Sequence, residues 1–131
     1  MIEEFVQSGL ARYEFKFLSY IGAHSDRVGI AMKCAVQQSG AAFWSFYDRF
    51  LVDRSSAHRR AQLISFAVDI NLDEDTFTQC YDDPATKRQV EEDLSAARRI
   101  GISHGPRVLV NGVNAGTRFE GIRQQVEAAT P

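Results

Sequence analysis

A helical pattern that runs almost without a break from residue 25 to about residue 100 limits what this chain can fold into. Asp83 and Pro84 mark one helix start inside it, as an N-cap and the first helical residue. Apolar residues recur at helical spacing in five segments, which are residues 25–38, 42–52, 63–70, 73–81 and 84–100. Strand patterns occur only on either side of this block. The sequence therefore predicts an α/β fold in which helices interrupt a small sheet.

The residues before the block predict a short helix and then one strand. Ile2, Phe5 and Val6 share one helical face, and Gly9 follows them as a stop signal. In residues 12–17, RYEFKF, aromatic and charged side chains alternate strictly. This alternation is typical of a half-buried strand or an edge strand.

The end of the chain predicts a β-hairpin and a final helix. Residues 107–116 contain an apolar, β-prone run followed by Asn111-Gly112, which is a strong signal for a tight turn. Thr117-Arg-Phe-Glu120 has the form of a capping box, so we expect the final helix to begin at Thr117.

Size and charge exclude several classes of protein. A chain of 131 residues with 44% hydrophobic residues is the size of one folded domain. A net charge of −2 with mixed signs does not indicate a nucleic-acid partner, and no apolar run is long enough for a membrane span. The first residues do not resemble a signal peptide, so we expect a cytoplasmic location if Met1 is the true start.

The residues capable of redox or metal chemistry are few and scattered. Cys34 and Cys80 are 46 positions apart and form no C-x-x-C motif, so they are either buried thiols or a structural disulfide. His24, His58 and His104 have no metal-ligand spacing with one another or with the cysteines. We expect no metal and no cofactor.

The stretch GISHGPRVLVNG, residues 101–112, places a proline directly before the first strand of the hairpin. Pro106 lacks a backbone donor, so it is suited to the start of a strand. Only about 5–6% of X–Pro bonds are cis, and the stretch taken alone favours a trans bond.

Three motifs together resemble the DsbA-like thiol-disulfide oxidoreductases, which have a thioredoxin fold with a helical insertion. The motifs are AMKCAVQQSGAAFWSFYDRF (31–50), DEDTFTQCYDD (73–83) and GISHGPRVLVNG (101–112), and the resemblance extends over essentially the whole chain. It implies that residues 1–22 and 84–131 form the thioredoxin-fold part and that residues 23–83 form the insertion. It also implies protein or peptide thiol substrates and a location outside the cytoplasm for the complete protein.

The resemblance assigns roles to five residues of this sequence. It implies that Pro106 is cis and that His104, Gly105 and Pro106 bind the substrate, while Cys34 and Cys80 form a structural disulfide. Gly105 stands where the family usually has a residue with a side chain. No catalytic residue is assigned, because the family's C-x-x-C is absent and is expected to precede Met1.

Two functional interpretations remain open. The chain is either an inactive, truncated piece of a DsbA-like oxidoreductase or a non-catalytic peptide-binding or assembly module. In both cases the central strand of the sheet is expected to be missing between residues 12–17 and 107–110. Unpaired strand edges recruit other strands, so we expect self-association into a homo-oligomer.

Overall fold

The structure is a computed structural model that describes residues 2–52 and 58–131. It divides into two compact units, each of which is described by itself. Met1–Lys16 and Gly101–Pro131 form the first unit, here called the terminal unit. Phe17–Ile100 form the second, here called the helical unit.

This division differs from the predicted domain boundaries in its treatment of residues 17–22 and of residues 84–100. The sequence assigns both segments to the thioredoxin-fold part, whereas the structure groups them with the helical unit. For residues 84–100 the reason is packing, since the helix they form contacts two other helices of that unit. Their assignment to the thioredoxin-fold part stays a prediction.

The helical unit contains the five predicted helices, which are confirmed at the expected places. They are α1 (Ala23–Gln38), α2 (Gly40–Val52), α3 (Arg60–Asp69), α4 (Glu74–Asp82) and α5 (Pro84–Arg99). Across residues 2–52 and 58–131, no helix has both the length and the apolar character that a membrane span requires.

Local sequence signals explain where α4 and α5 begin. The side chain of Asp73 accepts a hydrogen bond from the Thr76 backbone N–H at 2.7 Å, which caps α4. The side chain of Asp83 accepts one from the Ala85 N–H at 2.8 Å, and Pro84 occupies the first turn of α5. Each carboxylate satisfies a backbone donor that has no partner within its helix.

Aromatic rings of three helices form the centre of the helical unit. Phe46 of α2 is fully buried and stacks on Phe77 of α4, with ring centroids 5.8 Å apart. The ring of Phe66 of α3 meets Phe46 edge-on at 4.7 Å. Phe46 therefore belongs to a packed core, whereas Trp44 of the same helix is 38% exposed.

The terminal unit combines a short helical turn, a hairpin and one longer helix. Ile2–Val6 form a single π-helical turn, and Val6 and Gly9 close it with a backbone hydrogen bond of 3.1 Å. Strands β1 (Leu109–Val110) and β2 (Val113–Asn114) precede α6 (Phe119–Ala129). The buried core of this unit contains Phe5, Ile122 and Val126, with Ala11, Val108, Val110 and Ala115 packed against it.

The predicted hairpin turn is confirmed. β1 and β2 are antiparallel, and Val110 is paired with Val113. The two turn residues, Asn111 and Gly112, have φ angles of 48° and 84°. Two consecutive positive φ values match the twist of a tight hairpin, and this explains why Asn-Gly occurs here.

The strand predicted at residues 12–17 is wrong, because the structure assigns no strand to residues 11–20. Alternation makes a strand only where a neighbouring strand supplies backbone hydrogen bonds, and the sheet of the described chain consists of β1 and β2. The charged residues of the segment instead pair locally, since Glu14 contacts Arg12 at 3.2 Å and Lys16 at 2.6 Å.

The capping box predicted at Thr117 is also wrong. Helix α6 begins at Phe119, its N-cap residue is Arg118, and no side chain caps it. The chain leaves β2 through a turn in which the Asn114 side chain accepts a hydrogen bond from Gly116 N–H at 2.9 Å. This turn ends too late for Thr117 to take the N-cap position.

A cleft of about 390 Å³ lies in the terminal unit between residues 10–13 and residues 108–111. The Val108 carbonyl accepts a hydrogen bond from Ala115 N–H at 2.9 Å. Because hydrogen-bonded and non-bonded pairs alternate in an antiparallel ladder, the N–H and C=O of Leu109 point away from β2. In the described residues, segments 12–17 and 107–110 do not pair with each other as neighbouring strands.

Candidate functional site

The loop that joins Ile100 to β1 carries the predicted substrate-binding residues. His104, Pro106 and Arg107 are exposed, whereas Gly105 is half-buried. The Gly105–Pro106 peptide bond is cis. The structure thus presents a continuous, largely exposed segment directly before the hairpin.

Hydrogen bonds to both ring nitrogens hold His104 within this loop. An Arg107 guanidinium nitrogen lies 3.1 Å from Nε2, and Ser103 Oγ lies 3.2 Å from Nδ1. A guanidinium only donates hydrogen bonds, so Nε2 accepts and the proton of the neutral ring is on Nδ1. Nδ1 then donates to Ser103. Arg107 is not among the residues predicted from the sequence, although it lies only three positions after His104.

The two cysteines belong to the helical unit, not to the loop. Cys34 of α1 and Cys80 of α4 form a disulfide with a Cα–Cα distance of 5.7 Å. The side chain of Cys34 is 1% exposed, and that of the neighbouring Thr86 donates to the Cys80 carbonyl at 2.7 Å. The disulfide thus joins the two predicted cysteines to each other. Among residues 2–52 and 58–131, no group of three or more His, Cys, Asp or Glu side chains is arranged to hold a metal ion.

A second concentration of titratable groups lies in the helical unit. His24 and His58 stack with ring centroids 5.5 Å apart beside a cavity of about 230 Å³. Arg27 donates a hydrogen bond from Nε to the His58 carbonyl at 3.0 Å. Phe50 meets the His58 ring edge-on at 4.8 Å. No local sequence pattern indicates this pair, because the two histidines are far apart along the chain.

The surroundings of His24 favour its neutral form. Burial is the main cause, and His58 and Arg27 add positive charge, so the pKa of His24 lies below its ordinary value of 6.5. The Nδ1 atom of His24 is buried and has no hydrogen-bond partner within the described part of the chain. Protonation of this ring would place a partly buried positive charge beside the His58 ring and the Arg27 guanidinium.

Comparisons with known proteins agree with the predicted fold. A family model described as Thioredoxin matches residues 1–128. A "Probable disulfide bond formation protein D" of Bacillus anthracis is 23% identical over 95% of this chain and 60% of its own length. A protein of the same description from Bacillus cereus is 22% identical over 95% of this chain and 61% of its own length. The chain therefore belongs to the thioredoxin family, and its similarity to the two disulfide bond formation proteins confirms the predicted resemblance to the DsbA-like family.

Other comparisons are more limited. A "Na(+)/H(+) antiporter NhaA" of Herminiimonas arsenicoxydans is 36% identical over 68% of this chain, but the match covers 14% of that protein. No solved structure matches the chain significantly. The chain spans about 60% of the length of the two disulfide bond formation proteins, so it corresponds to part of their sequence.

We predict that acid destabilises the protein through His24. Its folded pKa is lowered from 6.5, so the unfolded state binds the proton more readily. The stabilisation is complete above the unfolded pKa and is lost as the pH falls through 6.5 towards the folded value. Denaturant unfolding at about pH 7.5 and about pH 5.5, on either side of that value, measures the loss.

Two variants make this pH test specific. His24→Gln is expected to reduce the difference in unfolding free energy between the two pH values. Arg88→Gln replaces an exposed residue of α5 that stays charged at both pH values and is expected to leave that difference unchanged. An equal pH dependence in the wild type and in His24→Gln would contradict the assignment.

We predict that the disulfide between Cys34 and Cys80 forms in the isolated protein. Thiol titration of the denatured, unreduced chain is expected to detect no thiol, and prior reduction is expected to release both. In the chain-entropy model, closing a loop of this length stabilises the fold by roughly 4 kcal/mol. The reduced protein should therefore unfold at lower denaturant concentration, and the same thiol count before and after reduction would refute the bond.

Proposed function

We propose that this chain is the substrate-binding and helical part of a DsbA-like thiol-disulfide oxidoreductase whose catalytic C-x-x-C precedes Met1. The observation that carries the proposal is the similarity to two disulfide bond formation proteins over 95% of the chain. The sequence itself contains no C-x-x-C. An in-frame strand followed by C-x-x-C in the coding sequence upstream of Met1 is the expected finding, and its absence would count against the proposal.

The chemistry of the complete enzyme is disulfide exchange with a protein substrate. A substrate thiolate attacks one sulfur of the enzyme's C-x-x-C disulfide and forms a mixed disulfide, releasing the other enzyme cysteine as a thiolate. A second substrate thiolate then attacks the mixed disulfide. The substrate leaves with a disulfide, and the enzyme retains the two electrons as a dithiol.

The loop around Pro106 contributes the substrate site in this proposal. Its exposure leaves backbone and side-chain groups accessible to an extended peptide. Gly105 adds no side chain, so a substrate backbone can approach closely. His104 is held by its neighbours on both ring nitrogens, which fixes the ring beside Gly105. These three residues are therefore proposed to bind the substrate.

The Cys34–Cys80 disulfide is proposed to be structural rather than catalytic. Cys80 is half-buried and is the more accessible sulfur, so an attacking thiolate would reach it first. Cys34 would then leave as a thiolate, but its side chain is 1% exposed. Burial in apolar surroundings disfavours a thiolate and makes Cys34 a poor leaving group. A stable disulfide also suits a location outside the cytoplasm, which we propose for the complete protein.

The second candidate function is a non-catalytic peptide-binding or assembly module. Two observations favour it: the absence of a C-x-x-C from the sequence, and the similarity of part of an antiporter to 68% of this chain. A thioredoxin-like domain joined to another protein could bind a peptide segment without redox chemistry. In that case no in-frame C-x-x-C would precede Met1.

Self-association is proposed for the chain on its own. The outer edge of β1 carries the N–H and C=O of Leu109, which point away from β2, and it borders the cleft of about 390 Å³. Apolar residues on both sides of the cleft include Leu10, which is 54% exposed, and Val108. An open strand edge beside apolar surface recruits another strand, and a second copy of the chain is the proposed source.

Light scattering at micromolar concentration tests this association. We expect a dimer or a larger species. Leu109→Pro removes the outward N–H of β1 and is expected to lower the association constant while circular dichroism shows retained helices. A monomer at all concentrations tested would refute the proposal.

Catalytic assays test the role assigned to the two cysteines. The 131-residue chain is expected to reduce insulin, or to oxidise a dithiol peptide, no faster than the background rate. A Cys34→Ser/Cys80→Ser variant is the matched control and should give the same rate. Appreciable turnover that this variant abolishes would show that these cysteines are catalytic.

A further inference from the structure

Arg107 directly follows Pro106 in the proposed substrate loop and is exposed to solvent. Its contact within the described chain is the hydrogen bond to His104 Nε2 at 3.1 Å. A guanidinium has five N–H donors in a rigid, planar group, so most of them stay available to a ligand. The bond to His104 also limits the positions that the guanidinium can take.

The sequence around Arg107 carries positive charges and no negative ones. Between Asp93 and Glu120 there are four arginines and no aspartate or glutamate. Arg98 and Arg99 lie in the last turn of α5, where positive charge is favourable beside the helix dipole. Arg107 lies in a loop, so the dipole of α5 does not explain it.

Three other basic residues of the terminal unit, Arg12, Lys16 and Arg123, have carboxylate partners, whereas Arg118 at the N-cap of α6 forms no ion pair within the described residues. Lys16 lies 2.6 Å from Glu14, and Arg123 lies 3.4 Å from Glu4. In residues 2–52 and 58–131, no carboxylate forms an ion pair with Arg107. A cation that is held in place beside a binding loop without an internal counter-charge is suited to an anionic group of the ligand.

We infer that Arg107 makes the loop selective for peptide segments that carry an acidic residue close to the substrate cysteine. This inference rests on the proposed function, in which the loop binds peptide. A carboxylate side chain of the substrate would accept charge-assisted hydrogen bonds from the guanidinium. A lysine at the same place would be repelled.

Fluorescence anisotropy with three labelled peptides tests the inference on the full 131-residue chain. Each peptide has eight residues with a central serine in place of cysteine, flanked by glutamate, glutamine or lysine. We expect the acidic peptide to bind roughly tenfold more tightly than the glutamine peptide at low salt, with the lysine peptide weakest. The difference should largely disappear at about 1 M salt, where the Debye length is about 3 Å.

Two charge-matched variants locate the effect. Arg107→Gln is expected to bind the acidic and the glutamine peptide within about twofold of each other. Arg88→Gln removes an exposed charge from α5 and should keep the roughly tenfold preference. Equal binding of the acidic and glutamine peptides to the wild type, or an unchanged preference in Arg107→Gln, would overturn the inference alone. Failure of all three peptides to bind would overturn the proposed peptide-binding function as well.

Discussion

The burial of α1 is the interaction on which the rest of the helical unit depends. This helix packs against α2, α3, α4 and α5. Its residues Ala31 and Ala35 are completely buried, and such small side chains let neighbouring helices approach closely. At Gly29 a Cβ atom would lie 2.6 Å from the Phe17 ring, so the absence of a side chain makes room for that ring. The disulfide between Cys34 and Cys80 then fixes α1 to α4 covalently.

The parts of the fold that local chemistry determines were predictable from the sequence. Asp83 caps α5 as its position predicts, because an N-cap needs only backbone N–H groups a few residues away. Asn111-Gly112 makes the predicted turn for the same kind of reason. The strand prediction for residues 12–17 is wrong, because alternation shows which side chains share a face but does not supply a neighbouring strand. The N-cap prediction for Thr117 is wrong, because the turn after β2 sets the start of α6.

The same distinction between local sequence signals and tertiary packing applies to the candidate site. His104, Gly105 and Pro106 were placed by resemblance to a family motif, and the link between His104 and Arg107 is short enough to follow from the sequence. The pairing of His24 with His58 depends instead on how α1 packs against the residues that lead into α3. No local pattern encodes that contact. Tertiary packing also sets the lowered pKa of His24, because burial is its first cause.

The two sulfurs and the proposed substrate loop belong to different units, and the chemistry of the sulfurs bears on what the chain can do alone. Cys34 and Cys80 lie in the helical unit, and Pro106 lies in the terminal unit. A thiol-disulfide enzyme needs an accessible sulfur whose partner leaves readily as a thiolate. Cys34 does not meet the second requirement, since its environment is closed to water and apolar. The disulfide holds two helices together, and the proposed role of the loop in contacting a peptide does not depend on it. In the proposed function, oxidation of a substrate would require a C-x-x-C disulfide from outside these 131 residues.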